Sequence, residues 1–155
     1  MDIQFLCDQP QWTPLLARWH YEAFGGQNPE WTRYALEAEL HGHRDREAIP
    51  TPVIAVEGEE LLGSASLIPE DVPEITDVSP WLASVFVHPQ FRGRGIGASL
   101  VEKICQVATH LGITRLYLVT TDKEGWYLSL GWTRLEERFA GGETFALMYR
   151  DLPPS

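Results

Sequence analysis

Apolar residues at the start of the chain first group as a short strand, Ile3 to Leu6, and then recur at helical spacing as Trp12, Leu15, Leu16, Trp19 and Ala23 behind a capping Asp8. This pattern predicts a first helix ending near Gly25-Gly26. Asn28-Pro29 reads as the cap and first position of a second helix, carried by Trp31, Ala35 and Ala38 toward His41. From Thr51 the period changes: Pro52 to Val56, a Glu57-Gly58 turn and Leu61 to Ile68 form an antiparallel hairpin that Pro69 ends. An acidic, proline-bearing loop from Glu70 to Pro80 follows. Trp81 to Val87 is then almost wholly apolar, as a central strand covered on both faces would be.

Ile96, Leu100, Val101, Ile104, Ala108 and Leu111 make the stripe of a helix packed on a sheet, with Gly112 as its stop. Thr114 to Thr120 is the next strand, and Asp122 caps a short helix through Leu130. Trp132 to Phe139 and Thr144 to Tyr149 form a last hairpin across Gly141-Gly142. The order is strand, helix, helix, three strands, helix, strand, helix, two strands. It predicts a mixed α/β fold with helices on the faces of the sheet, in one domain over 1–150 with a tail at 151–155.

Composition adds limits. The 155 residues suffice for one core without disulfides or metals, and Cys7 and Cys105 lie in different predicted elements, so both read as packing residues. No apolar run is long enough to span a membrane and the first residues lack the pattern of a signal peptide, which points to the cytoplasm. A formal net charge of -10 excludes the extended basic face that nucleic acid requires. Seven acids and no Lys or Arg occur from Glu57 to Asp77 (Glu57, Glu59, Glu60, Glu70, Asp71, Glu74, Asp77). They read first as a solvated loop face, and second as a rim that attracts a cation.

Candidate chemistry centres on Arg92-Gly93-Arg94-Gly95-Ile96-Gly97, between a predicted strand and a helix N-terminus. Unpaired amides and the helix dipole favour an anion there, and the glycines let a diphosphate approach the backbone. Gly93 to Ala98 also meets the loose dinucleotide pattern G-x-G-x-x-A. A Rossmann arrangement would open the domain with this turn and place an acid about 20 residues on. Roughly half of the chain lies upstream, and the first acid after the next strand is the late Asp122. No Gly-Lys-Ser/Thr follows, which excludes a Walker loop.

The sequence resembles the GNAT superfamily of acyl-CoA-dependent N-acetyltransferases. The family's cofactor motif Q/R-x-x-G-x-G/A is matched by Arg92, Gly95 and Gly97, after the approach His88-Pro89-Gln90-Phe91. Its C-terminal motif, an aromatic-Tyr pair and then Gly-aromatic, is matched by Trp126-Tyr127 and Gly131-Trp132. The resemblance implies a mostly antiparallel central sheet of six to seven strands flanked by about four helices. It implies acetyl-CoA as cosubstrate, its diphosphate on Arg92, Gly93, Arg94, Gly95, Ile96, Gly97 and Ala98, and its pantetheine in an opening beside Val85, Phe86 and Val87. It implies a primary amine as acceptor, attacked-carbonyl chemistry without an acyl-enzyme, and Tyr127 as the acid that protonates the leaving thiolate.

Two positions depart from the family pattern. An Asn usual near the end of the fifth strand is replaced by Thr120-Thr121-Asp122, which makes Thr120 the candidate for holding the pantetheine arm. No acid occurs from Trp81 to Val87, so a base would be a water chain, Ser84 acting through water, or an acid between Glu70 and Asp77. The competing expectation is a non-catalytic acyl-CoA-binding module. His41, His43 and Asp45 lack the i, i+4 spacing of a helical metal pair and read as a polar helix end. His20 and Glu22 lie near the end of the first helix, whose loop commonly lines the acceptor pocket in this family, though a surface position is equally expected, and His88 marks the end of the central strand.

Overall fold

A computed structural model of the chain describes residues 1–24, 51–69, 71, 72 and 74–154. Among these, seven strands form one sheet: β1 (Asp2–Phe5), β2 (Thr51–Glu57), β3 (Glu60–Ile68), β4 (Trp81–Val87), β5 (Arg115–Thr120), β6 (Thr133–Ala140) and β7 (Glu143–Asp151), in the order β1-β2-β3-β4-β5-β7-β6. Three helices accompany them, α1 (Thr13–Phe24), α2 (Ile96–His110) and α3 (Glu124–Ser129). Neighbouring strands are antiparallel except β4 and β5, which are parallel. The mixed, mostly antiparallel sheet is thus the expected one. The second helix expected from Asn28, and with it His41, His43 and Asp45, lies outside the described residues.

The stripe of α2 is buried as the spacing predicts: Ile96, Leu100, Val101, Ile104 and Ala108 pack on Val53 and Ala55 of β2 and on Leu62, Ala65 and Leu67 of β3. Cys105 is buried in the same cluster, and burial pushes its thiol up to about 11, the condition of an inert packing cysteine. On the opposite face α1 covers Ile54, Val56 and Leu61 with Leu16, Ala17 and Trp19.

The start of α1 differs from expectation. Asp8 ends a 3₁₀ turn, Leu6–Asp8, a second turn Pro10–Trp12 follows, and the helix begins at Thr13. Its buried residues are Thr13, Leu16, Ala17, Trp19 and His20, whereas Ala23 is exposed. His20 can lie inward because the sheet offers it a partner, as shown below. At α3, Lys123 rather than Asp122 is the capping position, with Thr120 Oγ1 accepting the Lys123 amide at 3.0 Å; β5 ends at Thr120 as the sequence suggests and begins one residue later, at Arg115. At the other end, β7 runs to Asp151, which pairs with Arg115, and Leu152 is buried with its amide donating to Thr114 O at 2.9 Å.

β4 is not a regular strand. Ser66 pairs with Ala83 and Ser64 with Phe86, so Ser84 and Val85 of β4 oppose Ala65 alone of β3, and Ser84 takes φ +55° in the resulting bulge. The bulge reverses the alternation: Leu82, Val85 and Val87 face α2, Phe86 faces α1, and Ser84 is exposed between them. Gly63 holds this geometry from β3, because a Cβ there would stand 2.5 Å from Phe86 O. Gly63→Ala is therefore expected to lower the unfolding free energy by about 3 kcal/mol, at the upper end for overpacking, since a strand must move rather than a side chain. A urea unfolding midpoint equal to wild type would contradict this.

Candidate active site

β4 and β5 share one register pair, Trp81 with Tyr117, supported by Tyr117 N–H donating to Pro80 O at 3.1 Å. Beyond that pair the two parallel strands diverge. Their facing edges, Ser84 to Val87 on one side and Leu118 to Thr120 on the other, border an opening whose wide end lies at the start of α2. An unpaired strand edge can accept an amide-bearing chain as an added strand.

The turn at that wide end is built from the left-handed region. Gly93 has φ +82° and Gly95, the N-cap of α2, has φ +77°. Nothing lies within 4 Å of where a Cβ would sit on either residue, so the turn is open on that side to a close approach. A 15-residue helix points its N-terminus into this space. The donor set and the space fit a diphosphate. Gly97 has a different function: a Cβ on it would come within 3.2 Å of the Trp126 ring, so this glycine lets α3 close on α2. Trp126, 37% exposed, is thereby a wall of the site that the spacing of glycines did not announce.

The two arginines are less free than their sequence suggests. Arg92 Nε donates to Val87 O at 2.9 Å, tying the turn to the end of β4, with its guanidinium 5.9 Å from the Phe86 ring. Arg94 pairs with Glu57 at 2.9 Å, both about half exposed, an ion pair worth less than about 1 kcal/mol and readily exchanged for a phosphate. The acids from Glu57 to Asp77 do not form one rim. β3 separates Glu57, Glu59 and Glu60 from Asp71, Glu74 and Asp77 by about 26 Å of strand.

Tyr127 stands in the core cluster under α2, with its ring edge-on to Trp126 at 4.8 Å and to Trp132 at 6.1 Å. Its carbonyl accepts the amides of Leu130 and Trp132, which fixes the backbone that carries it. Burial first, and then the charge of Asp71, pushes its hydroxyl up to about 12. A phenol that stays protonated in this setting is a donor and not a base. Thr120 is buried with its oxygen accepting the Lys123 amide, which leaves its O–H to donate.

On the face opposite α2, His20 is buried with Nε2 3.1 Å from the fully buried Ser64 Oγ, next to the pairing partner Phe86. Trp19 packs on Phe86 at 5.8 Å and on the His88 ring at 4.9 Å. His88 Nδ1 accepts the Gln90 amide, so this histidine closes the end of β4, as its position suggests. Burial lowers the His20 pKa to about 4. The unfolded chain then binds one more proton than the folded one between that value and the ordinary 6.5, so stability is complete above pH 6.5 and is lost as pH falls toward 4. The loss attributable to His20 is about 3 kcal/mol. Urea unfolding across that range should be steeper in pH for wild type than for His20→Gln; equal slopes would remove His20 as the cause.

Among the described residues no group of three His, Cys, Asp or Glu could hold a metal, and no helix is long and apolar enough to cross a membrane.

Comparison with known proteins agrees with this geometry. A sequence model of the acetyltransferase (GNAT) family matches residues 13–132. An amino-acid acetyltransferase of Aeromonas salmonicida is 38% identical over 55 residues, 36% of this chain, and the chain covers only 12% of that curated relative's length. An aminoglycoside 6'-N-acetyltransferase complexed with coenzyme A superposes over 100% of this chain and 99% of its own, with a TM-score of 0.76 and 18% identity. The yncA protein of Salmonella typhimurium with its cofactor acetyl-CoA gives a TM-score of 0.70 over 100% of this chain and 95% of its own, at 16% identity. At these identities the two structures speak for the fold.

Proposed function

We propose that this chain, which belongs to the GNAT acetyltransferase family, moves the acetyl group of acetyl-CoA to a primary amine by direct attack. Acetyl-CoA is the cosubstrate. The observation that carries the reading is the parted β4–β5 pair, with an amide-rich turn at its wide end and the protonated Tyr127 beside it.

In this reading the amides from Gly93 to Gly97 and Ala98, with Arg92 and Arg94, bind the diphosphate. The exposed edge of Val85 to Val87 aligns the pantetheine arm and Thr120 donates to it. The bulge at Ser84, which interrupts the regular β3–β4 ladder beside this edge, supports that reading. The amine nitrogen attacks the carbonyl carbon, the C–S bond breaks with its electron pair on sulfur, and Tyr127 O–H supplies the proton that sulfur takes. No protein nucleophile is needed. Cys105, the thiol nearest this region in sequence, is buried and inert.

The acceptor class follows from two supports. The relatives' names are those of enzymes for amino acids and aminoglycosides, both of which carry primary amines. Asp71 and Glu74, both exposed and without a Lys or Arg near them in sequence, favour a cationic acceptor. Thiol release from acetyl-CoA should be followed over a panel of polyamines, amino sugars, amino acids and peptide N-termini. At least one amine should raise release far above hydrolysis. Tight acetyl-CoA binding with no amine-dependent release would replace this reading with that of a binding module.

A further inference from the structure

Past Trp81 the parallel neighbour β5 no longer pairs with β4, so the second half of β4 is held by β3 and by what packs on its two faces. On the α2 side Val85 and Val87 join the main core. On the other side α1 presents two consecutive residues. His20 Nε2 lies 3.1 Å from Ser64 Oγ of β3, the register partner of Phe86, and Trp19 packs on Phe86 itself, with ring centroids 5.8 Å apart and planes tilted by 51°. The buried Trp19 also meets the His88 ring at 4.9 Å.

These contacts close a circuit. The Arg92 guanidinium stands 5.9 Å from the Phe86 ring, Arg92 Nε donates to Val87 O at 2.9 Å, Val87 continues into His88, and His88 returns to Trp19. The approach to the glycine turn is fixed on the same histidine: its Nδ1 accepts the Gln90 amide at 3.3 Å, its carbonyl accepts the Phe91 amide at 2.9 Å, and its ring meets Phe91 at 5.7 Å. Trp19 therefore touches the edge that borders the opening, through Phe86, and the start of the turn, through His88.

We propose that Trp19 is a positioning residue for acetyl-CoA, one that acts through Phe86 and His88 to hold the β4 edge and the diphosphate turn at a fixed separation and angle. The proposal rests on the reading above, in which that edge aligns the pantetheine arm and that turn binds the diphosphate. One ligand engaging both must find them in register, and β4 between them has no ladder on its β5 side. Subsites held in place beforehand bind such a ligand more tightly, because binding then has less of the protein to order. A broad, rigid indole is suited to this, since it presents ring surface to two neighbours at low cost in side-chain entropy.

The test measures acetyl-CoA affinity by calorimetry on the full chain for Trp19→Leu, His88→Asn and the double variant, with urea unfolding to establish that each is folded. Asn at 88 keeps a side-chain acceptor for the Gln90 amide and removes only the ring, so it opens the circuit without a cavity in the core. Each single variant should bind acetyl-CoA about tenfold more weakly, the size that loss of an aromatic contact supports. The double variant should bind no more weakly than the worse single one, since both substitutions open the same circuit. A Trp19 that only packs would lower the unfolding midpoint and leave the affinity of the folded protein at the wild-type value. That result, or losses that add in the double variant, would overturn the positioning role and leave acetyl-CoA binding standing. If Trp19→Leu does not fold, wild-type affinity in His88→Asn overturns it by itself. A wild-type protein that does not bind acetyl-CoA would overturn both.

Discussion

Tyr127→Phe should slow single-turnover acetyl transfer about 10²-fold, equivalent to about 2.7 kcal/mol of barrier, while folding and acetyl-CoA affinity change little. The ring remains, and with it the edge-on contacts to Trp126 and Trp132; only the O–H is lost. The sequence alone suggests a phenol of ordinary pKa and hence a descending limb of rate near pH 10. The structure moves that limb upward, because burial and the Asp71 charge push the hydroxyl to about 12. Since the protonated form is the donor, the wild-type rate should show no Tyr127-dependent fall until pH approaches 12. Rapid-quench measurements on both proteins decide the matter. An undiminished variant would mean that Tyr127 only packs and that sulfur takes its proton elsewhere.

Gly95→Val should reduce acetyl-CoA affinity at least about 100-fold in calorimetry. The residue caps α2 at φ +77°, where a β-branched L-residue carries about 1–2 kcal/mol of strain. That cost leaves the fold intact. No protein atom lies within 4 Å of the new Cβ position, so the side chain projects into the space assigned to the diphosphate and displaces the amides from it. Retained affinity in a folded variant would show that the anion binds elsewhere.

The elements of this protein are written in its periodicities. The stripe from Ile96 to Ala108, the hairpin around Gly58 and the last pair of strands around Gly141-Gly142 follow from spacing and turn chemistry, which act over a few residues. The diphosphate turn is legible for the same reason, since its glycines and helix start are local. Tyr127 was reachable only through a motif, because nothing in its own neighbourhood separates a donor from a packed ring.

Other features depend on what lies across the sheet. The bulge at Ser84 arises because β4 must match β3 at Gly63 and still part from β5 beyond Trp81, so a run that reads as uniformly apolar turns its residues to alternate faces only after pairing. His20 is inward because Ser64, 44 positions away, meets its ring. The acidic run divides because β3 carries its two halves to opposite ends of one strand. Asp77 is fixed by Arg138, 61 positions away, which donates to both of its carboxylate oxygens. Hydrophobic period is set by neighbours along the chain, whereas register, desolvation and charge pairing are set by neighbours in space, and these decide which of the residues here can do chemistry.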